Sequence, residues 1–174
     1  LVLLPGHGAS PVNFAANWYP FRQDSTFLYY AGLARPGLAV LMDLDAAETV
    51  LVAEDAGPDE EIWSGPRPPL QEDALRVGIR ATGTWSQLAD RLQEARSRGR
   101  RLHYLAPYRA DQALTLARLT GQSPAGVADG VSEALAAVVI AQRLIKEDRE
   151  VAAIEAALAL SAAAFQEILP AVTP

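Results

Sequence analysis

The sequence predicts an α/β or α+β domain built on a mixed β-sheet with flanking helices, and three observations carry that prediction. Short apolar runs bounded by Pro, Gly or acidic residues gather in the first third of the chain. Helical periodicities with recognisable caps take over from about residue 84. A further strand-like run, Leu102 to Leu105, falls between two of those helical patterns. Strands that come first as a meander and then alternate with helices point to a sheet of mixed direction, not a purely parallel one.

Taken in order, Leu1-Val2-Leu3-Leu4 is an apolar run stopped by Pro5-Gly6 and predicts a buried strand ending in a turn. A long loop follows, with a helical turn expected within Asn13 to Pro20. Ser25 to Leu33 is rich in Phe, Tyr and Leu between polar residues and glycine, and is expected to be a strand. Leu38 to Met42 and Thr49 to Val52 flank the acidic connection Asp43 to Glu48 and give the clearest hairpin signal. From Glu54 to Gly83 the pattern dissolves into Pro, Gly and acids. An excursion of that length is uncommon in a compact domain unless it serves a site or an interface.

Thr84 with Gln87 three positions on reads as a capping box, and Leu88, Leu92 and Ala95 set an apolar stripe on a helix that Gly99 can stop. Arg109 to Thr120 is the next helix, burying Ala113, Leu116, Ala117 and either Leu119 or Thr120, and ending at Gly121. Ser123-Pro124-Ala125-Gly126 reads as a break. Ser132 can cap a helix reaching about Leu144. A last helix begins near Glu147 and places Val151, Ile154, Leu158, Ser161, Phe165 and Ile168 on one face.

Composition narrows the classes of function. With 174 residues, half of them apolar, one ordinary domain or one domain plus part of another is expected. Such a chain can fold without disulfides or a structural metal. Fifteen basic against twenty-one acidic residues give a net charge of −6, which disfavours a nucleic-acid partner. The absence of cysteine excludes a thiolate metal site or a cysteine nucleophile and suits a reducing compartment, so a cytoplasmic location is expected. The longest unbroken apolar run, Ala134 to Ala141, is too short to cross a membrane, and none is expected as a partner. The opening at Leu1, without a basic n-region, reads as a trimmed terminus and not a signal peptide.

Few residues carry a chemical signal. Gly6-His7-Gly8-Ala9-Ser10 invites a hydrolase or phosphate-loop reading, but there is no G-x-S-x-G elbow and no Walker lysine, so a flexible loop after a strand is expected. His103 lies in an apolar run and reads as a buried or edge histidine. Asp43 and Asp45 could chelate a hard cation, but a solvated hairpin tip accounts for them. Trp63 stands apart: a large amphipathic ring in an acidic loop either folds back on its own sheet or serves an interface or a pocket wall.

The run Tyr19-Pro20-Phe21-Arg22-Gln23-Asp24-Ser25-Thr26-Phe27-Leu28-Tyr29-Tyr30-Ala31-Gly32-Leu33 resembles the segment that marks the N-terminal domain of Xaa-Pro aminopeptidases, within the creatinase/prolidase-like metallopeptidases. Pro36 to Leu41, Glu61-Ile62-Trp63-Ser64-Gly65, and Arg143-Leu144-Ile145-Lys146 with Glu150 resemble further family segments in the same order. The resemblance implies a ribonuclease H-like α/β domain over residues 1–145 (a creatinase N-terminal domain). Residues 146–174 then begin the pita-bread catalytic domain, whose remainder lies outside this chain. It implies an accessory and oligomerising role in a homo-dimer or tetramer whose parent hydrolyses the bond between an N-terminal residue and proline. Two divalent metal ions, with manganese the expected metal, would be held by the catalytic domain on two Asp, one His and two Glu. This chain is expected to hold no catalytic residue and no metal ligand and to be inactive alone. By resemblance, Trp63 walls a neighbouring subunit's substrate pocket, and Arg22, Gln23 and Asp24 form a structural hydrogen-bond and charge cluster. Two alternatives share the architecture: a non-catalytic, histone-chaperone-like peptide-binding module, and an Xaa-Pro dipeptidase (prolidase). A third, of a different class, is an independent hydrolase built on His7 and Ser10.

Overall fold

A computed structural model describes residues 1–14, 17–54, 57, 62 and 65–172. The chain divides into two compact units, Leu1–Ala136 and Ala137–Pro174.

The first unit is a mixed four-stranded sheet between two layers of helices. β1 (Val2–Pro5) pairs antiparallel with β2 (Ala39–Asp43), β2 antiparallel with β3 (Glu48–Val52), and β3 parallel with β4 (Ala81–Gly83), in the order β1-β2-β3-β4. Leu3 sits opposite Leu41, and Leu41 opposite Val50. Successive strand residues point to opposite faces, and here both faces are covered, so Val2–Leu4, Ala39–Met42 and Val50–Val52 are apolar without interruption. Val2, Leu4, Val40 and Leu51 pack against α1 (Ser25–Ala31) and α2 (Leu70–Arg76) through Phe27, Ala31, Leu70 and Ala74. Leu3, Ala39, Leu41, Val50 and Val52 pack against α3 (Trp85–Ser97), α4 (Ala110–Thr120) and α5 (Pro124–Asp129) through Leu88, Leu92, Leu116, Ala117 and Val127. The α/β class with a mixed sheet and flanking helices is the one the sequence predicts.

Four local expectations are corrected. Ser25 to Leu33 is not a strand. Asp24 caps a helix there by accepting the N–H groups of Thr26 (2.9 Å) and Phe27 (2.8 Å), and Gly32 ends it in the left-handed conformation at φ 68°. Phe27 and Ala31, four apart, then face the sheet while Leu28 and Tyr29 stay exposed. The stretch from Glu54 to Gly83 is not structureless, since α2 and β4 lie within it. Leu102 to Leu105 makes one parallel bridge, Val2 to His103, instead of a strand. The next ladder bond in that register, from Leu105 N–H to Leu3 O, is not made, and the one after it would need a hydrogen on the nitrogen of Pro5, which has none. Ser123 does not open a break: its hydroxyl accepts the N–H of Gly126 (3.0 Å) and starts α5, with Pro124 in the first turn.

Other expectations hold as predicted. Thr84 and Gln87 form both bonds of a capping box, 3.2 and 2.9 Å, at the start of α3. Leu88, Leu92 and Ala95 are its buried face. Ser132 accepts the N–H of Leu135 (3.2 Å) at the head of α6 (Glu133–Leu144).

The second unit contains the remainder of α6 and α7 (Asp148–Ile168). Glu147 and Glu150 form a capping box at its start. No residue of α7 is buried, and the stripe of Val151, Ile154, Leu158, Phe165 and Ile168 faces outward. By length and composition, Asp148–Ala171 is long and apolar enough to cross a membrane. Glu155, Ser161 and Glu167 divide it into short apolar runs without lowering its average hydropathy far.

Candidate functional site

β1 ends at Pro5, and its loop meets the start of α1 and the residues just before α4. Gly6 is the pivot. Its N–H donates to Leu38 O at 2.8 Å, and a Cβ here would lie 2.9 Å from both Leu38 O and Gln23 Oε1, so no side chain fits without displacement. Gln23 is buried beside it. Its Oε1 accepts the N–H of His7 (2.7 Å) and of Asp24 (2.9 Å), and its Nε2 donates to Arg35 O (2.8 Å). One amide thereby joins three segments of chain.

His7 is only 5 % exposed, so the flexible loop expected from its flanking glycines is corrected to a packed one. Its Nδ1 lies 2.9 Å from Arg22 O. A carbonyl only accepts, so Nδ1 carries a hydrogen. Its Nε2 lies 2.9 Å from Tyr108 Oη, and the two rings meet edge to face with centroids 5.4 Å apart. Tyr108 donates to Asp24 Oδ2 at 3.1 Å, and the same carboxylate oxygen is 3.9 Å from His7 Nε2. Tyr108 is 70% exposed as a whole, but partial desolvation of its hydroxyl, and then the Asp24 charge, push the phenol above its ordinary value, so it remains protonated at neutral pH.

Next to this cluster Arg109 donates to Asp111 Oδ1 (3.0 Å) and to Ser10 Oγ, and Gln112 donates to Pro5 O (3.2 Å). A cavity of about 150 Å³ lies between them, lined among others by Pro5, Asp24, Tyr108, Gln112 and Leu116. The His7 ring nitrogens are taken by Arg22 and Tyr108, and the Ser10 hydroxyl by Arg109, so the structure does not assemble a His7–Ser10 nucleophile pair. The chemistry open to this arrangement is holding and moving protons between fixed partners.

The remaining candidates fall elsewhere. Of the trio Arg22, Gln23 and Asp24, the last two are drawn into the cluster, whereas the Arg22 side chain is exposed and only its carbonyl takes part. His103 Nδ1 sits 2.7 Å from Ser132 Oγ at the head of α6, and burial, then the N-terminal ammonium and Arg101, lower its pKa. Asp43 and Asp45 are tied to Arg100 at 2.6 to 2.8 Å, and that guanidinium holds the Asp43 carboxyl well below the usual carboxylate range. Trp63 and Glu61 lie outside the described residues. Among the described residues no three His, Asp or Glu side chains converge to hold a metal ion, so this chain does not fit the dimetal centre that the resemblance assigns to the parent, and no hydrolytic step is derived through it. Tyr108 and Arg109 are cluster members without any sign in the sequence, because no motif or periodicity links them to His7 and Ser10 about a hundred residues earlier.

A mixed sheet covered by helices on both faces defines a domain of the α/β class. The sequence matches the family described as aminopeptidase P, N-terminal domain, over residues 1–103, and the chain belongs to that family. Solved structures with the same fold include a variant of Escherichia coli aminopeptidase P, at 21% identity and a TM-score of 0.63, covering 87% of this chain and 36% of that one. Pseudomonas aeruginosa aminopeptidase PepP matches at 24% identity and a TM-score of 0.66, covering 86% and 35%. Yersinia pestis proline aminopeptidase P II matches at 19% identity and a TM-score of 0.63, covering 87% and 36%. The chain thus spans about a third of the length of these structures. No match was found among curated proteins.

Proposed function

We propose that this chain is the accessory and oligomerising part of an Xaa-Pro aminopeptidase-like metallopeptidase whose catalytic residues lie on further sequence. The family match over residues 1–103 carries this reading, together with a fold common to aminopeptidase P structures of which the chain spans about a third. The parent hydrolyses the bond between an N-terminal residue and proline. Proline contributes no N–H to the scissile amide, so a peptidase acting there needs a pocket shaped for the ring. Two divalent ions, manganese in the first instance, act in the catalytic part. Residues 1–145 form the accessory domain and 146–174 begin the catalytic one. The parent is a cytoplasmic homo-dimer or tetramer, in which Trp63 walls a neighbouring subunit's pocket. The chain alone is inactive.

The test is the full-length protein assayed with Mn²⁺ on tripeptides and dipeptides carrying proline second. Release of the first residue from tripeptides, lost on chelation and absent from residues 1–174, is the expected result. Cleavage of dipeptides alone makes the parent a dipeptidase. A parent sequence lacking the two-Asp, one-His, two-Glu set, with no cleavage of either substrate, overturns the proposal.

A further inference from the structure

The hydrogens around His7 do not balance for a neutral imidazole. With Nδ1–H given to Arg22 O, a neutral ring leaves Nε2 as an acceptor. Tyr108 Oη lies 2.9 Å from that nitrogen and 3.1 Å from Asp24 Oδ2, and a carboxylate also only accepts. One phenol hydrogen would then serve two acceptors. With a second hydrogen on the ring, Nε2–H donates to Tyr108 Oη, Tyr108 O–H donates to Asp24 Oδ2, and every contact has one donor. An imidazolium also faces a carboxylate, the arrangement in which such hydrogen bonds are strongest.

We propose that His7, Tyr108 and Asp24 form a proton-gated latch: a second proton on His7 turns the three into one donor chain tying the loop after β1 to the cap of α1 and the segment before α4. Loss of that proton turns one link into a competition. The loop so held runs on through Ser10, which accepts the N–H of Tyr19 through its carbonyl (3.0 Å) and is gripped by Arg109 through its hydroxyl. It carries the exposed side chains of Phe14, Trp18 and Tyr19. The latch therefore sets the position of an outward-facing aromatic loop.

The charged groups around His7 are few. Asp24 comes from the α1 cap, and Arg22 precedes it with its guanidinium exposed. Arg109 and Asp111 come from the start of α4 and pair with each other (3.0 Å). From the β2 side Gly37 N–H donates to His7 O, and the nearby Arg35 is paired with Asp73 (3.0 Å). Among the described residues the nearest charge to the ring is that of Asp24, while Arg22 and Arg109 act on the Tyr108 hydroxyl beside it. His103 acts in the opposite sense. Its folded pKa lies below the ordinary 6.5, so its contribution to stability is whole above that value and is lost as pH falls through the window beneath it. Total stability against pH therefore carries the His103 contribution, and the latch has to be read at His7 itself.

Asp24→Asn isolates it. Asparagine caps helices about as well as aspartate, so the bonds to Thr26 and Phe27 survive. Its amide NH₂ takes the place of Oδ2 and donates to Tyr108, which then donates to a neutral His7, so the chain runs in reverse without a second proton. Imidazole ¹⁵N spectra of the 174-residue chain between about pH 8 and 5 follow the ring directly. The expected result is that His7 loses its second proton at a pH at least about one unit lower in Asp24→Asn than in the parent sequence, a tenfold drop in proton affinity. Should Asp24→Asn fail to fold, Tyr108→Phe, which removes the shared hydroxyl, is expected to move the titration in the same direction. A His7 titration that coincides in the parent and in whichever of these variants folds overturns the proposal. So does a neutral ring accepting the Tyr108 hydrogen at about pH 6 in the parent sequence.

Discussion

Gln23 is a small amide with an outsized share of the tertiary structure. Its three hydrogen bonds reach His7, Asp24 and Arg35, which belong to three separate segments. An apolar residue of the same size cannot make them. Gln23→Leu leaves two N–H groups and a carbonyl without partners in a buried place, at about 1–3 kcal/mol for each group that water does not reach. The expected loss in urea unfolding is about 2–4 kcal/mol. Gly6 belongs to the same contact, because the approach of Gln23 and Leu38 O leaves no room for a methyl group. The glycines around His7 are visible in the sequence, but what they serve is not. A chain pattern of period 2 or 3.6 reports which face a residue occupies, and carries nothing about a tyrosine one hundred and one positions away.

At the scale of elements, legibility follows locality. The α3 cap was readable because Thr84 and Gln87 satisfy each other's backbone within one turn. Thr84→Ala is expected to cost about 1 kcal/mol, seen as a lower thermal midpoint with the fold retained. The signals for α1 were just as local, Asp24 before it and Gly32 after it, yet its Phe and Tyr content favoured a strand. Burial decided otherwise: as a helix, Phe27 and Ala31 share one buried face and Tyr29 stays exposed, whereas a strand would turn Tyr29 toward the same side as both. β4 was hidden for a different reason. Three residues, Ala81 to Gly83, are too few to show alternation, and what makes them a strand is the neighbouring β3. The run at Leu102 had the composition of a strand but meets β1 at a single bridge, shortly before Pro5 ends that strand's supply of N–H groups.

For the molecule as a whole, the order of elements was enough to give the class, since the two apolar faces of β1, β2 and the second half of β3 demand two helical layers. The second unit poses a separate question. Each large side chain on the α7 stripe is worth roughly 1.5–3 kcal/mol when fully covered, and Leu158 and Phe165 are 63% and 65% exposed. Residues 1–174 alone are therefore expected to self-associate with rising concentration. Light scattering is expected to return the monomer mass for the double variant Leu158→Glu/Phe165→Glu. A parent sequence that stays monomeric at high concentration removes the stripe as an adhesive surface.

The brevity of β4 and the proline that closes β1 bear on how the protein fails when it is stressed. An outermost ribbon only three residues long, and an opposite margin interrupted after a single bridge, give a foreign chain almost no length along which to zip. Amyloid-like growth from the native sheet is thereby discouraged, and any insoluble material that forms from folded protein should be amorphous and free of cross-β order.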